Sequence, residues 1–304
     1  MKRTVLAPLT LLAATLTWLA APASASADTY ENVTIDAVLD GRLYLPETPG
    51  DAPPAMILMH GCGGMWSDDD PSAGAVHEIE RWGMELAAQG YVVIAVDSYG
   101  GRTPVGVDWV AYQYQCSGST YGGAVDPYTT RVDDIAAAYD YLVEEHGASS
   151  VGIMGWSQGA QAVMVASAAT PRGSNVAYAS PPVYSAAVAY YPGCGSALGY
   201  GLSSTKDGYW RPAMPTRLQV GALDSFHAKC ERRADNAIAS YSADLTWVDY
   251  AGVGHSFDNA GGDAFPAAKC TASELADPGM TTICAERDAD VDSLAFVLAE
   301  VTGV

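Results

Sequence analysis

Residues 151–162, Val-Gly-Ile-Met-Gly-Trp-Ser-Gln-Gly-Ala-Gln-Ala, join an apolar run to an alanine-rich segment through Gly155-Trp156-Ser157-Gln158-Gly159. The pattern reads as strand, sharp turn and helix. A serine on such a turn is held in a strained backbone, which is tolerable because the glycines on either side carry no side chain to clash across it. Its hydroxyl then stands clear of the sheet. The helix behind it aims unpaired N–H groups and the positive end of its dipole at the same spot.

Units of the same kind surround this one. Ala55 to Met59 is a continuous apolar run of the sort buried on both faces of a parallel sheet, and it ends in His60-Gly61-Cys62-Gly63-Gly64. Tyr91 to Val96 is another, ending at Asp97, and further strands are expected at Ala186–Tyr191, Thr216–Val220 and Leu245–Tyr250. Between them lie helical patterns, the clearest being Val132, Ile135, Ala136, Tyr139, Leu142 and Val143, closed by Gly147. The segment around Val76, Ile79, Met84, Leu86 and Ala87 fits a helix more loosely, and Val291 to Val301 makes a closing amphipathic helix. Asn32 to Leu45 reads as an antiparallel hairpin turning at Asp40-Gly41, while Ser98–Pro127 and Gly193–Pro215 read as long Gly/Tyr/Ser-rich loops. Alternating strands and helices imply an α/β fold, a mostly parallel central sheet with helices on both faces, and a ligand site beyond the carboxyl ends of the strands.

Residues 1–27 stand outside that pattern. Lys2 and Arg3 precede an apolar run from Val5 to Ala21, and Ala25-Ser26-Ala27 supplies an Ala-x-Ala signal, so a signal peptide cleaved near Ala27 is expected, with a secreted or periplasmic protein as the product. Residues 28–304 then form one domain. Without Lys2 and Arg3, 13 of the 15 basic residues remain against 35 acidic ones. Such a surface repels nucleic acid and anionic membranes and suits a neutral or cationic substrate. Cys62, Cys116, Cys194, Cys230, Cys270 and Cys284 form an even set in an exported chain, which points to disulfides rather than metal. Cys62 and Cys116 lie in loops after neighbouring strands and are expected to pair. So are Cys194 and Cys230, leaving Cys270 with Cys284.

Serine is a weak nucleophile without a base to take its proton and a carboxylate to hold that base in the right tautomer. In an α/β-hydrolase arrangement these follow in the order nucleophile, acid, histidine, each on a loop after a later strand. Here that order selects Ser157, Asp224 and His255. His255 alone among five histidines follows the last strand; His60 more naturally braces the glycine turn, His77 and His146 fall in exposed helical segments, and His227 is too close to Asp224. Asp97 ends a strand but precedes the serine. The negative charge developing at an attacked carbonyl needs backbone donors, for which Gln158, after the nucleophile, and Cys62, in the glycine loop, are the candidates.

His60-Gly61-Cys62-Gly63-Gly64, Asp97-Ser98-Tyr99-Gly100-Gly101-Arg102, Gly155-Trp156-Ser157-Gln158-Gly159, Gly221-Ala222-Leu223-Asp224 and Gly254-His255-Ser256-Phe257 together resemble the dienelactone hydrolase family of the α/β-hydrolases, in particular its exported serine members. The likeness spans roughly Met56 to Phe257. The family's namesake uses a cysteine nucleophile, so with serine at that position dienelactone hydrolysis does not carry over. The resemblance implies acylation of Ser157, then hydrolysis by a water that His255 activates, with no cofactor and no metal. Tyr99, Arg102, Trp156, Tyr191 and Phe226 flank the strand ends and either shape the pocket or pack the core. Three activities fit: an esterase acting on small or polymeric esters, an exported amidase or peptidase with the same triad, and a binding protein with an inactive triad. A monomer or homodimer is expected.

Overall fold

The computed structural model describes residues 30–67, 70–116, 125–169, 183–200, 209–259 and 264–303. The expected signal peptide lies outside them. Eight strands form one sheet: β1 (Tyr30–Thr34), β2 (Asp40–Tyr44), β3 (Pro54–Met59), β4 (Val92–Asp97), β5 (Ser150–Trp156), β6 (Ala187–Tyr190), β7 (Thr216–Gly221) and β8 (Leu245–Tyr250). Their order is β1-β2-β4-β3-β5-β6-β7-β8. The β1–β2 and β2–β4 pairs are antiparallel and all the others are parallel.

The continuous apolar strands are explained by burial on both faces. Along β3, Ala55, Ile57 and Met59 face one core, while Met56 and Leu58 face the other. The first core is closed by α3 (Thr130–His146), α4 (Gln158–Ala166) and α5 (His227–Tyr241), through residues such as Ile135, Val163 and Ala234. The second is closed by α1 (His77–Ala88) and α7 (Thr281–Glu300), through Ile79, Trp82, Leu86, Ala289 and Val297. Two short helices, α2 (Trp109–Gln113) and α6 (Ala272–Leu275), lie in connections, and the side chain and backbone of Thr271 cap α6 reciprocally with Glu274.

Two expectations about the chain path need correction. The N-terminal hairpin exists, but its turn is residues 35–39; Asp40 and Gly41 belong to β2, paired with Thr34 and Val33. Gly41 is required by a close approach, because a Cβ there would stand 2.7 Å from the Ala95 carbonyl oxygen of β4. The stretch after β4 is not all loop, since it carries a short 3-10 turn at Gly100–Arg102 as well as α2. Its residues 117–124 lie outside the described set, as do 201–208 of the later loop.

Candidate active site

β5 delivers Ser157 to the carboxyl edge of the sheet, and α4 starts at the next residue. Ser157 has φ 50° and ψ −111°, a conformation that L-residues other than glycine rarely adopt. What holds it there is packing. A Cβ on Gly155 would lie 2.7 Å from the Gly159 carbonyl carbon, and one on Gly159 would lie 2.1 Å from the Met59 carbonyl oxygen. The helix therefore seats directly on the end of β3. The Ser157 N–H is tied to the Tyr190 carbonyl at 3.0 Å.

Asp224 follows β7 and His255 follows β8, and the two loops interlock: Ala222 N–H donates to Tyr250 O and Leu223 N–H to Val253 O, both at 2.8 Å. The structure brings the three side chains into one chain of hydrogen bonds. Ser157 Oγ lies 2.9 Å from His255 Nε2, and His255 Nδ1 lies 2.6 Å from Asp224 Oδ2. The other oxygen of Asp224 accepts the Phe226 N–H at 2.8 Å. The Asp224 side chain is fully buried, whereas that of His255 is 38 % exposed, open toward a ligand. The rival acid Asp97 is occupied elsewhere: it accepts from Trp66 Nε1 at 2.7 Å and from the Tyr99 and Gly100 N–H groups.

Beneath the serine lies a buried polar network. His60 donates from Nδ1 to Gly61 O at 2.6 Å and accepts the Ser98 N–H at Nε2, the neutral form that burial and the nearby Arg131 charge enforce by pulling its pKa well down. Arg131, itself fully buried, donates to His60 O at 2.7 Å, to Ser98 Oγ at 3.2 Å and to Gln158 Oε1 at 3.2 Å. Tyr99 donates to the same Gln158 oxygen at 2.5 Å. One cation thus grips both the glycine loop after β3 and the first residue of α4. The Gln158 side chain is turned into this network, while its N–H opens the helix, where no intrahelical acceptor exists. Cys62 and Gly61 line the same cavity as Ser157.

That cavity, about 530 Å³, is lined by Gly61–Gly64, Ser67, Val76, His77, Glu78, Cys116, Ser157, Tyr191, His255, Ser256 and Asn259. Of the five expected pocket residues, only Tyr191 is among them. Its φ of 39° presses the ring edge-on against His255, with centroids 4.8 Å apart, and its hydroxyl donates to Asp258. Tyr99 is buried under the elbow. Trp156 alternates to the opposite face, where it stacks on Tyr190 at 5.5 Å, and Arg102 is drawn away by Asp134 at 2.5 Å. Phe226 reaches His255 only at 6.5 Å between rings and acts on Asp224 through its backbone. His77 was expected in an exposed helical segment, but the first turn of α1, with His77 and Glu78, forms a wall of the cavity.

Asp258 is fully buried, and one of its oxygens has no hydrogen-bond partner among the described residues. Burial and the Glu78 charge push it up to about 7. Between about pH 4 and pH 7 the folded state therefore keeps a proton that the unfolded chain has released. Stability is present at the acidic end of that window and is lost as pH rises, by up to about 1.4 kcal/mol per unit. Asp290, pushed up to about 7 by burial, acts in the same direction. Asp258→Asn is expected to raise the melting temperature at neutral pH and leave it nearly unchanged near pH 4; equal shifts at both would show that Asp258 does not hold that proton.

The sulfurs of Cys62 and Cys116 are 1.99 Å apart, those of Cys194 and Cys230 2.02 Å, and those of Cys270 and Cys284 2.12 Å. The first bridge fastens the glycine loop to the segment after α2, alongside a hydrogen bond from Gln115 N–H to Cys62 O at 2.8 Å. Gentle reduction, or Cys62→Ser with Cys116→Ser, is expected to lower activity at temperatures where circular dichroism still reports an intact sheet. Activity lost only together with the sheet would restrict the bridge to stability, worth about 4 kcal/mol for a loop of this length.

A family model described as the dienelactone hydrolase family matches residues 39–281. No curated protein matches the chain. Among solved structures, Thermogutta terrifontis esterase 2 phosphonylated by sarin is 14 % identical with a TM-score of 0.59, over 90 % of this chain and 96 % of that one. The propionate-bound form of that thermophilic esterase is 16 % identical with a TM-score of 0.54, over 88 % and 93 %. The fold is that of the α/β-hydrolases. No helix among the described residues is long and apolar enough to cross a membrane.

Proposed function

We propose that this chain, a hydrolase that belongs to the dienelactone hydrolase family, is an exported esterase in which Ser157 is the nucleophile, His255 the base and Asp224 the acid. The observation that carries the reading is the unbroken relay from Ser157 Oγ through His255 to a fully buried Asp224, at 2.9 and 2.6 Å. In acylation, His255 Nε2 takes the Ser157 proton as Oγ bonds to the ester carbonyl carbon. The carbonyl oxygen becomes an oxyanion beside the N–H groups of Gln158 and Cys62. The intermediate collapses as the C–O bond to the alcohol breaks, and His255 returns the proton to the leaving oxygen. Water then repeats the sequence on the acyl-enzyme, releasing the acid and restoring Ser157. Asp224 accepts the Nδ1–H of His255 and stabilises the imidazolium that forms.

Hydrolysis of p-nitrophenyl acetate by the wild type, with loss in Ser157→Ala, tests this reading. A matched ester and amide pair then separates an esterase from an amidase. Asp224→Asn is expected to leave folding intact and to lower kcat by roughly 10⁴-fold, because an amide in place of the carboxylate favours the wrong histidine tautomer; near-normal turnover would move the acid elsewhere. The reading of residues 1–27 as a signal peptide is supported by the disulfides, which persist in oxidising compartments. Amino-terminal sequencing of exported protein, with Asp28 first, tests it.

A further inference from the structure

The relay uses one side of the cavity, and the opposite wall is chemically unlike it. Among the described residues, Glu78, in the first turn of α1, is the one carboxylate in the lining, and none is a lysine or arginine. Its carboxylate is answered by its own backbone N–H and, among the described residues, by no side-chain hydrogen bond. The cation next to it is committed: Arg81 pairs with Glu286 at 3.0 Å and with Asp290. His77 stands 3.9 Å from that same Glu286. With Asp258 behind Tyr191, one arginine thus faces Glu78, Asp258, Glu286 and Asp290. Above about pH 7, where Asp258 and Asp290 release their protons, acidic groups outnumber Arg81 in this wall.

We propose that Glu78 sets the substrate specificity of this cavity, favouring esters that bear an ammonium group and disfavouring those that bear a carboxylate. The proposal rests on the esterase reading above. Independently of the lining, burial holds the Glu78 and Asp258 carboxyls above their ordinary range, with the Glu286 charge adding to it at Glu78 and the Glu78 charge at Asp258. A site that already resists its own second negative charge resists a substrate anion for the same reason, and a cation relieves that repulsion. A partly desolvated position makes the interaction local and less screened by salt than one with the acidic outer surface.

The test compares acetylcholine, its uncharged isostere with tert-butyl in place of trimethylammonium, and an acetate ester with a carboxylate at that end. Each is followed by pH-stat at about pH 8, in roughly 0.01 and 0.5 M salt. The expected kcat/KM is about tenfold higher for acetylcholine than for the isostere and about tenfold lower for the carboxylate. The preference should survive high salt and shrink to within about twofold in Glu78→Gln. Equal rates for the three esters overturn the proposal. So does a preference that vanishes in high salt, or one that Glu78→Gln leaves unchanged. Should Glu78→Gln fail to fold by circular dichroism, Asn259→Lys, a change at an exposed lining residue, must lower the acetylcholine preference, and an undiminished preference overturns the proposal. If the wild type cleaves the isostere and Ser157→Ala does not, the esterase reading stands and the ratios alone judge Glu78. If none of the three esters is cleaved, it is the esterase reading that fails.

Discussion

Ser157→Ala and His255→Ala are each expected to lower kcat by roughly 10⁵-fold or more, and the double variant to be hardly worse than either. The reason is the geometry of the relay. With Ser157 Oγ at 2.9 Å from His255 Nε2, the histidine can act only on a proton that the serine presents, and the serine can attack only when that proton leaves. Removing either group removes the same step, so the losses do not add. The residue of activity would come from the N–H groups of Gln158 and Cys62 and from binding, which are untouched. Single-turnover kinetics on an activated ester, for the wild type and all three variants, provides the measurement. Strictly additive losses would mean that the two side chains act in separate steps, contrary to the relay. Chromatography and thermal melting should show all three variants folded, because Ser157 and His255 line a cavity rather than a core.

Gly159→Ala is expected to be far more damaging to the fold than a single added methyl suggests, by about 3–5 kcal/mol. A Cβ there would stand 2.1 Å from Met59 O and 2.5 Å from His60 O. Both are backbone atoms, and no side-chain rotation can clear them. Accommodation requires α4 to lift from β3, which pulls Gln158 from Tyr99 and Arg131 and relaxes the strained Ser157. Urea denaturation would report a lowered midpoint, and the surviving folded fraction should have reduced kcat. A control at Gly63, where a Cβ would meet nothing within 4 Å, is expected to be nearly neutral for stability. Equal stability of Gly159→Ala and wild type would mean that α4 is not held against β3 as described.

The order of strands and helices was legible because each parallel strand is a short apolar run bounded by glycine or a polar turn, and burial on both faces leaves no other use for such a run. The relay was legible for a related reason. In a parallel sheet every carboxyl end falls on one edge, so Ser157, Asp224 and His255, each just after a strand, had to converge. Legibility failed wherever a residue's surroundings come from a distant element. Trp156 precedes the serine, yet the pleat sends it to the opposite face against Tyr190. Gly41 has the look of a turn residue, but its smallness answers to β4 across the sheet. His77 and Glu78 carry the polar pattern of a solvated helix face, and only the packing of α1 beside the loop after β8 turns that face into a cavity wall. Arg131 gave no signal at all, since one arginine in an amphipathic helix is ordinarily a surface charge.

The long reach of the contacts between α1 and α7 sets a timetable for synthesis. Arg81 leaves the ribosome 209 residues before its partner Asp290, and Tyr190 waits 100 residues for the same carboxylate. Until α7 emerges, the face of the sheet that carries Met154, Trp156 and Val188 lacks that helix's share of its cover. The elbow and its helix are complete by Ala166, but His255 arrives 98 residues after Ser157. On the esterase reading proposed above, a nascent chain of this protein therefore carries Ser157 well before the histidine that activates it, and hydrolytic competence waits for the loop after β8.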